Sequence, residues 1–372
     1  MRKKYIVLIL FFATTLLLFY SKLGPQLVSK DASMNDYQKA TVLSAKTLQI
    51  LDQYGQRKEQ KVKLRLTDGP ETGKTVEITN NSSVNGIDFD YALAPGDKVL
   101  VFADHRGALT TYYFYDFDRL PYFLFLLGIF VFGLLFWGRI VGLKSIIALG
   151  ISLFFLWHFF SVALVPTNNI YFISLLFCAA ASLFVLLTVG GNTDKTWAAL
   201  AGTWGGLAFA GLLSYFSIQW MHLSGLGNEP AFSLKASIAP QLDLHGVLFA
   251  SMIIASLGAI MDVTVSIASA QFELYQSSPE ITWRELYRAG MNVGKDIMGA
   301  MSNTLVLAYV GSSLPLLLLI VAEKQQLAHI LNTSVVITEL TRAIVGSIGL
   351  IGSVPLTAIT MSVICCRKRN QL

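Results

Sequence analysis

The sequence predicts an α-helical polytopic membrane protein of about eight transmembrane helices carrying a small extracytoplasmic all-β domain, OB-like or a small barrel. Three observations carry that expectation. Of the 372 residues, 54% are hydrophobic and only 14% charged, against roughly a quarter charged in soluble domains. From residue 121 onward, apolar runs near the length of a membrane crossing succeed one another with short connections. Residues 21–118, by contrast, are polar and rich in Asp, Lys, Thr and Gly, which sets them apart as a domain of their own.

The opening stretch MRKKYIVLILFFATTLLLFY joins a basic start to an apolar run, and SKLGPQLV comes next, where a small-x-small cleavage site would stand. Residues 1–20 read as an uncleaved membrane anchor, with a cleaved signal as the alternative. Either one exports residues 21–118. Within 21–118 the runs YQKATVLSA, QKVKLRLTD, KTVEITN and DKVLVFAD alternate or cluster β-branched residues between Gly, Pro and Asn signals, as antiparallel strands do, and TYYFYDF adds one more. The string DGPETGKT approaches a phosphate-binding loop, but Asp68 stands where that pattern needs its first glycine and the flanks read as two strands. A hairpin turn is the expectation.

The remainder, 119–372, divides into runs near 121–138, 144–164, 170–189, 196–220, 246–271, 298–321 and 343–366, each close to the ~20 residues that cross a bilayer core. With Arg2, Lys3 and Lys4 inside, alternation puts Arg139, Lys144, Lys195, Arg284, Arg288, Lys295, Arg367, Lys368 and Arg369 on the cytoplasmic side. The opposite short loops hold few cations, chiefly Lys235, Lys324 and Arg342. Both termini are therefore expected in the cytoplasm, the β domain outside, and the chain in the cell membrane with the lipid bilayer as its first partner. This topology also accounts for the net charge of +5, and no basic-aromatic pattern points to nucleic acid. Cys178, Cys365 and Cys366 fall in or at the end of apolar runs, which excludes a disulfide framework.

Two runs announce close packing. Ala198, Gly202, Gly206, Ala210 and Ser214 recur every four residues, and the last run carries Gly346, Gly349, Gly352 and Pro355, which favour close approach and a break. Between 246–271 and 298–321, residues 272–297 are polar with apolar residues at helical spacing, and read as a short surface helix anchored by Trp283 and Tyr287.

Chemistry concentrates between 246 and 311. Gly258, Asp262, Ser266 and Ser269 share one face of a helix, and Asn292, Asp296, Gly299 and Asn303, with Thr304 adjacent, share another. An intramembrane carboxylate costs roughly 2.5–3.5 kcal/mol on insertion scales and is functional by default. The candidate ligand- or ion-binding residues are thus Asp262, Ser266, Asn292, Asp296, Asn303 and Thr304. Asp262 either exchanges a proton or holds a cation, or else clasps neighbouring helices through Ser, Thr or Asn. If the two helices pack antiparallel, Ser266 or Ser269 is the expected level for Asn303. Glu339 and Arg342 are expected to pair along the last helix. His158, His222, Asp243 and His245 lie toward the outer side, where a metal site or a plain helix start are the alternatives. Neither GxSxG nor HExxH occurs, so no enzyme is expected, and no cofactor is implied.

The strings GAIMDVTVSIASA, AGMNVGKDIMGAMSNTLVLAYVGSSLPLLL and VGSIGLIGSVPLTA resemble the characteristic blocks of the YibE/F-like membrane proteins. The resemblance implies an integral bacterial membrane protein, and puts Gly258, Asp262, Asn292, Asp296, Asn303, Thr304, Tyr309 and Gly311 at motif positions. The functional expectation is a transporter or exporter of a small solute or ion, coupled through Asp262. A non-transporting envelope protein, whose exported β domain binds an extracytoplasmic protein partner, is the alternative.

Overall fold

A computed structural model of the chain describes residues 37–52, 55–81, 83–84, 87–88, 92–105, 110–163, 169–226, 229–238, 240–322 and 326–369. The expected anchor at 1–20 lies outside them. The chain divides into two compact units, Met1–Gly133 and Leu134–Leu372.

In the first unit, β1 (Tyr37–Asp52), β2 (Gly55–Leu66), β3 (Thr75–Asn81), β6 (Lys98–Asp104) and β7 (Thr111–Phe117) form one antiparallel sheet in the order β3-β2-β1-β6-β7, and β4 (Ser83–Val84) pairs with β5 (Ile87–Asp88). Alternation dictates the core: Val62, Leu64 and Leu66 of β2 and Val99, Val101 and Ala103 of β6 all point to one buried face. A buried amide fastens it. Gln60 Oε1 accepts from the Leu93 amide at 2.8 Å, and its Nε2 donates back to the Leu93 carbonyl at 3.3 Å.

The DGPETGKT string is the β2–β3 turn, with Gly69 at φ +85° and Gly73 at φ +89°, conformations that glycine adopts without strain. From this turn Glu71 accepts a 2.7 Å hydrogen bond from the Tyr112 hydroxyl on β7. Since β3 and β7 are the two edges of the sheet, that bond curls it toward closure.

The second unit is helical, and the first helix, α1 (Leu120–Ala163), begins just ahead of it. The backbone of α1 breaks at Arg139 (φ 46°, ψ −120°). Gly142 lies against the Leu134 carbonyl with no room for a Cβ, so the two runs expected at 121–138 and 144–164 are arms of one sharply bent element. After α2 (Ile170–Gly190), α3 (Asp194–Trp220) starts on Thr193, whose side chain accepts from the Thr196 amide. A short α4 (Glu229–Ser233) runs into a π-helical turn, Leu234–Ile238. Then come α5 (Leu244–Ser277), α6 (Trp283–Ser312), α7 (Leu314–Ala322), α8 (Leu327–Asn332) and α9 (Ser334–Arg369). Among the described residues, five helical stretches are long and apolar enough to cross a membrane: Leu120–Phe154, Ile170–Gly190, Asp194–Trp220, Leu244–Ser277 and Ser334–Lys368.

Residues 272–297 differ from expectation. They form no separate surface helix: 272–277 finish α5 and 283–297 are the first half of α6. The reason is local. Thr282 and Glu285 make a reciprocal capping box, with Thr282 Oγ1 accepting from the Glu285 amide and Glu285 Oε2 from the Thr282 amide, and no breaker intervenes until Ser313. The run expected at 298–321 is accordingly split between α6 and α7. Nor does Pro355 break α9, which continues through it.

The small residues set the packing. Ala198, Gly202, Gly206, Ala210 and Ser214 are all buried. A Cβ on Gly206 would strike the Gly349 carbonyl and Ser353, and one on Gly202 would strike Thr357, so α3 and α9 touch at nearly backbone distance. Lys368 at the end of α9 pairs with Asp194 at the start of α3, and at the opposite end the Thr341 hydroxyl meets the Met221 sulfur at 3.4 Å. These two helices therefore run antiparallel.

Candidate functional site

Asp262 sits near the middle of the 34-residue α5. At 1.5 Å per residue that helix is about 51 Å long, against a hydrocarbon core of about 30 Å, so its midpoint falls inside the core of any bilayer it crosses. The inner face of α5 carries Ile260, Val263, Thr264, Ile267 and Gln271, all buried. Gly258, Asp262 and Ser266 point the other way and are exposed, with Ser269 half-buried between the faces. Ser266 Oγ donates to the Asp262 backbone carbonyl at 2.8 Å. The Asp262 carboxylate itself takes no hydrogen bond or ion pair from any described residue.

The second set lies on α6 with the same polarity. Leu286, Gly290 and Gly294 are its buried residues, and Asn292, Asp296, Gly299, Asn303 and Thr304 are exposed. Thr304 Oγ1 donates to the Ala300 carbonyl at 3.0 Å, a bond within its own helix. No hydrogen bond joins the outer face of α5 to that of α6 among the described residues.

What unites the two sets is height. Gly290 faces the Gln271 side chain, Gly294 faces Ile267, and Leu305 and Ser256 converge on Gly346. The two direct contacts obey one antiparallel register, each step along α6 matched by an equal step back along α5, and the pair that meets at Gly346 keeps it. Continued, that register sets Asp262 level with Gly299, and Gly258 level with Asn303. Asn303 is therefore one turn from Asp262, and not at the height of Ser266 or Ser269. Lys295 and Asp296 take the level of Ser266.

Two features escape a reading of the sequence. Gln271, 1% exposed, sends Nε2 to the Leu286 carbonyl (2.9 Å), the Ala358 carbonyl (3.1 Å) and Ser362 Oγ (3.1 Å), tying α5 to both α6 and α9. Gly290 makes room for it, because a Cβ there would meet the Gln271 amide. A lone amide at the end of an apolar run is the only signal of it in the sequence, and its distance from Asp262 hides it. The second feature surrounds the expected Glu339–Arg342 pair, which forms at 3.0 Å. Arg342 also reaches Ser251 Oγ at 3.3 Å and lies over the Tyr309 ring, 5.9 Å from its centroid. This cluster joins α9 to α5 and α6, beside a pocket lined by Val306, Tyr309, Ser313, Leu317, Glu339 and Leu340.

Of the outer histidines and Asp243, His245 lies 3.8 Å from the Asp243 carboxylate, and the side chain of His158 lies outside the described residues. Asp243 caps α5 through the His245 amide at 3.1 Å, and no group of three metal-ligating side chains converges among the described residues.

A bundle of helices fit to cross a membrane, an N-terminal β unit and a carboxylate at mid-helix define the class: a membrane-type helical protein with an appended β domain. The chain belongs to the YibE/F-like family. The YibE/F-like protein family matches residues 126–367, and the YibE/F family N-terminal domain matches residues 33–117. No curated protein and no solved structure matches it.

Proposed function

We propose that the chain is a transporter or exporter of a small solute or ion in the cell membrane, with Asp262 as the group that takes up a proton or a cation. One observation carries the reading: a carboxylate at mid-helix, without a partner among the described residues of its own chain, with the Asn303 amide on α6 about one turn from its level. Intramembrane ionisable groups with this placement mark ion and proton paths. In this reading the chain crosses the bilayer about eight times, both termini are cytoplasmic, and the β domain is outside. Binding and release suffice; no bond is made or broken in a substrate.

Thermal stability of the purified protein in detergent tests it, across pH and a panel of monovalent and divalent cations, for wild type beside Asp262→Asn. A ligand that binds only the native state raises the midpoint by mass action. The expected result is a cation- or pH-dependent shift in wild type that disappears in folded Asp262→Asn. Equal responses in both proteins overturn the role of Asp262.

A second reading, an envelope protein whose β domain binds a protein partner, draws on one surface. Tyr113 and Tyr115 on edge strand β7 are more than half exposed, and the Tyr37 and Tyr115 rings meet at 4.7 Å. Exposed aromatics on a strand at a sheet edge suit capture of an extended segment.

A further inference from the structure

The glycines of the helical unit fall into two sets. A Cβ at Gly202, Gly206, Gly290 or Gly294 collides with a neighbouring helix, so these positions are used up by packing within the chain. Gly138, Gly150, Gly191 and Gly311 are open, and so are Gly258 and Gly299, where a Cβ meets nothing within 4 Å. Gly258 and Gly299 stand beside Asp262 and Asn303, on faces that point away from the chain's own core. Lipid is a poor cover for such a face, because a bare mid-membrane carboxylate is costly and amide side chains there seek hydrogen bonds.

We infer that the outer faces of α5 and α6 pack on the same faces of a second copy of this chain, with α5 of each copy against α6 of the other. Symmetry makes the fit. Two copies inserted in the same direction are related by a two-fold axis along the membrane normal, which leaves every residue at its own height. Groups that are level within one chain are therefore level across the pair. Asp262 then faces Gly299 of the partner subunit, where the missing side chain leaves space for a carboxylate. Asn303 of the partner subunit lies one turn to one side and offers an amide donor. Lys295 of the partner subunit lies one turn to the other.

Charge supports the same occupant. Lys295 is exposed and, like Asp262, has no ion-pair partner among the described residues of its own chain. A second copy supplies the opposite charge for each, twice over, and the facing helices run antiparallel.

The pairing needs only that α5 crosses the membrane with α6 packed along it, and does not rest on transport. Two differently tagged chains, in a background with Cys178, Cys365 and Cys366 replaced by serine, are co-expressed, one with Gly258→Cys and the other with Asn303→Cys. Oxidation in the native membrane is expected to give a disulfide-linked species that carries both tags. Replacing Asn303→Cys by Ile348→Cys, exposed on α9, is expected to abolish it, and adding Gly299→Leu to both chains is expected to reduce it several-fold without changing the amount of folded protein. Absence of the mixed species, or equal yield with the Ile348→Cys control, overturns the pairing. So does a Gly258→Cys chain that links instead to Leu16→Cys in its own N-terminal run or to a different protein. Because the readout is a covalent link, loss of the cation response in Asp262→Asn leaves this result standing, and loss of the link leaves that response standing.

Discussion

Asp262 and Gln271 are both polar residues on α5, nine positions apart, and the structure uses them in opposite ways. Gln271 is buried and shared among three helices, so removing its amide leaves the Leu286 and Ala358 carbonyls without that donor. Gln271→Leu is expected to destabilise the helical unit by about 0.6–1.7 kcal/mol, the average-to-maximum range for interhelical hydrogen bonds within a membrane protein; chemical denaturation in detergent micelles measures it. In the β unit, Glu71 plays a lesser part and is sensitive to pH. Lys74 first, and then the Tyr112 hydroxyl, hold its carboxyl below the usual carboxylate range, while burial and the same bond push Tyr112 up to about 12. A lowered carboxyl pKa gives stability that is present above the unfolded value and is lost as pH falls through the folded one. Tyr112→Phe is therefore expected to melt earlier than wild type at neutral pH, with the gap narrowing as Glu71 protonates; melts followed by β-sheet circular dichroism at a series of acidic pH values show whether it does. Asp262 is legible in the sequence because a carboxylate inside an apolar run announces its own cost. Gln271 is not, since an uncharged amide near the end of such a run looks like the start of a loop.

At the level of whole helices, the expected elements are mostly found where apolar runs end at caps, and missed where polarity and helicity part company. Residues 283–297 are polar enough to read as surface, yet the Thr282–Glu285 box starts a helix there and nothing stops it. Hydropathy describes what a helix faces, while continuity is decided by caps and breakers, so the boundary between surface helix and span that polarity suggests does not exist in the backbone. The small-residue stripe is legible as packing because its four-residue period survives any choice of partner, although the partner, α9, is not. That contact predicts a contrast between two glycines. Gly206→Leu drives a side chain into the Gly349 carbonyl and Ser353 and is expected to cost about 1–3 kcal/mol, the scale of an overpacked core. Gly258→Leu enters open space within its own chain and is expected to leave the thermal midpoint of the monomer unchanged. Measuring both variants side by side separates contact inside the chain from contact outside it.

Across the whole molecule, each unit holds a core of its own. The sheet closes on Val62, Leu64, Val99 and Val101, and the helices close on Met252, Ile253, Ile260, Leu350 and Val354. The family matches also separate the sheet from the helices, with the N-terminal domain at 33–117 and the helical part at 126–367, so the second match begins a few residues ahead of the second unit. A unit with its own buried core folds without its neighbour more readily than a fragment cut from a shared one. Which unit carries the activity then becomes a question of deletion. If Asp262 is the coupling group, a chain lacking residues 25–118 is expected to keep the cation- or pH-dependent shift of its helical part, because every residue of the candidate site lies between 262 and 304. If the β unit acts by holding a partner, the same deletion removes function while the helices remain folded. Parallel measurement of helical content and of the cation response on the truncated chain decides between them: a folded bundle that still responds places the activity in the helices, whereas a folded bundle that no longer responds removes the case for Asp262 as an independent site.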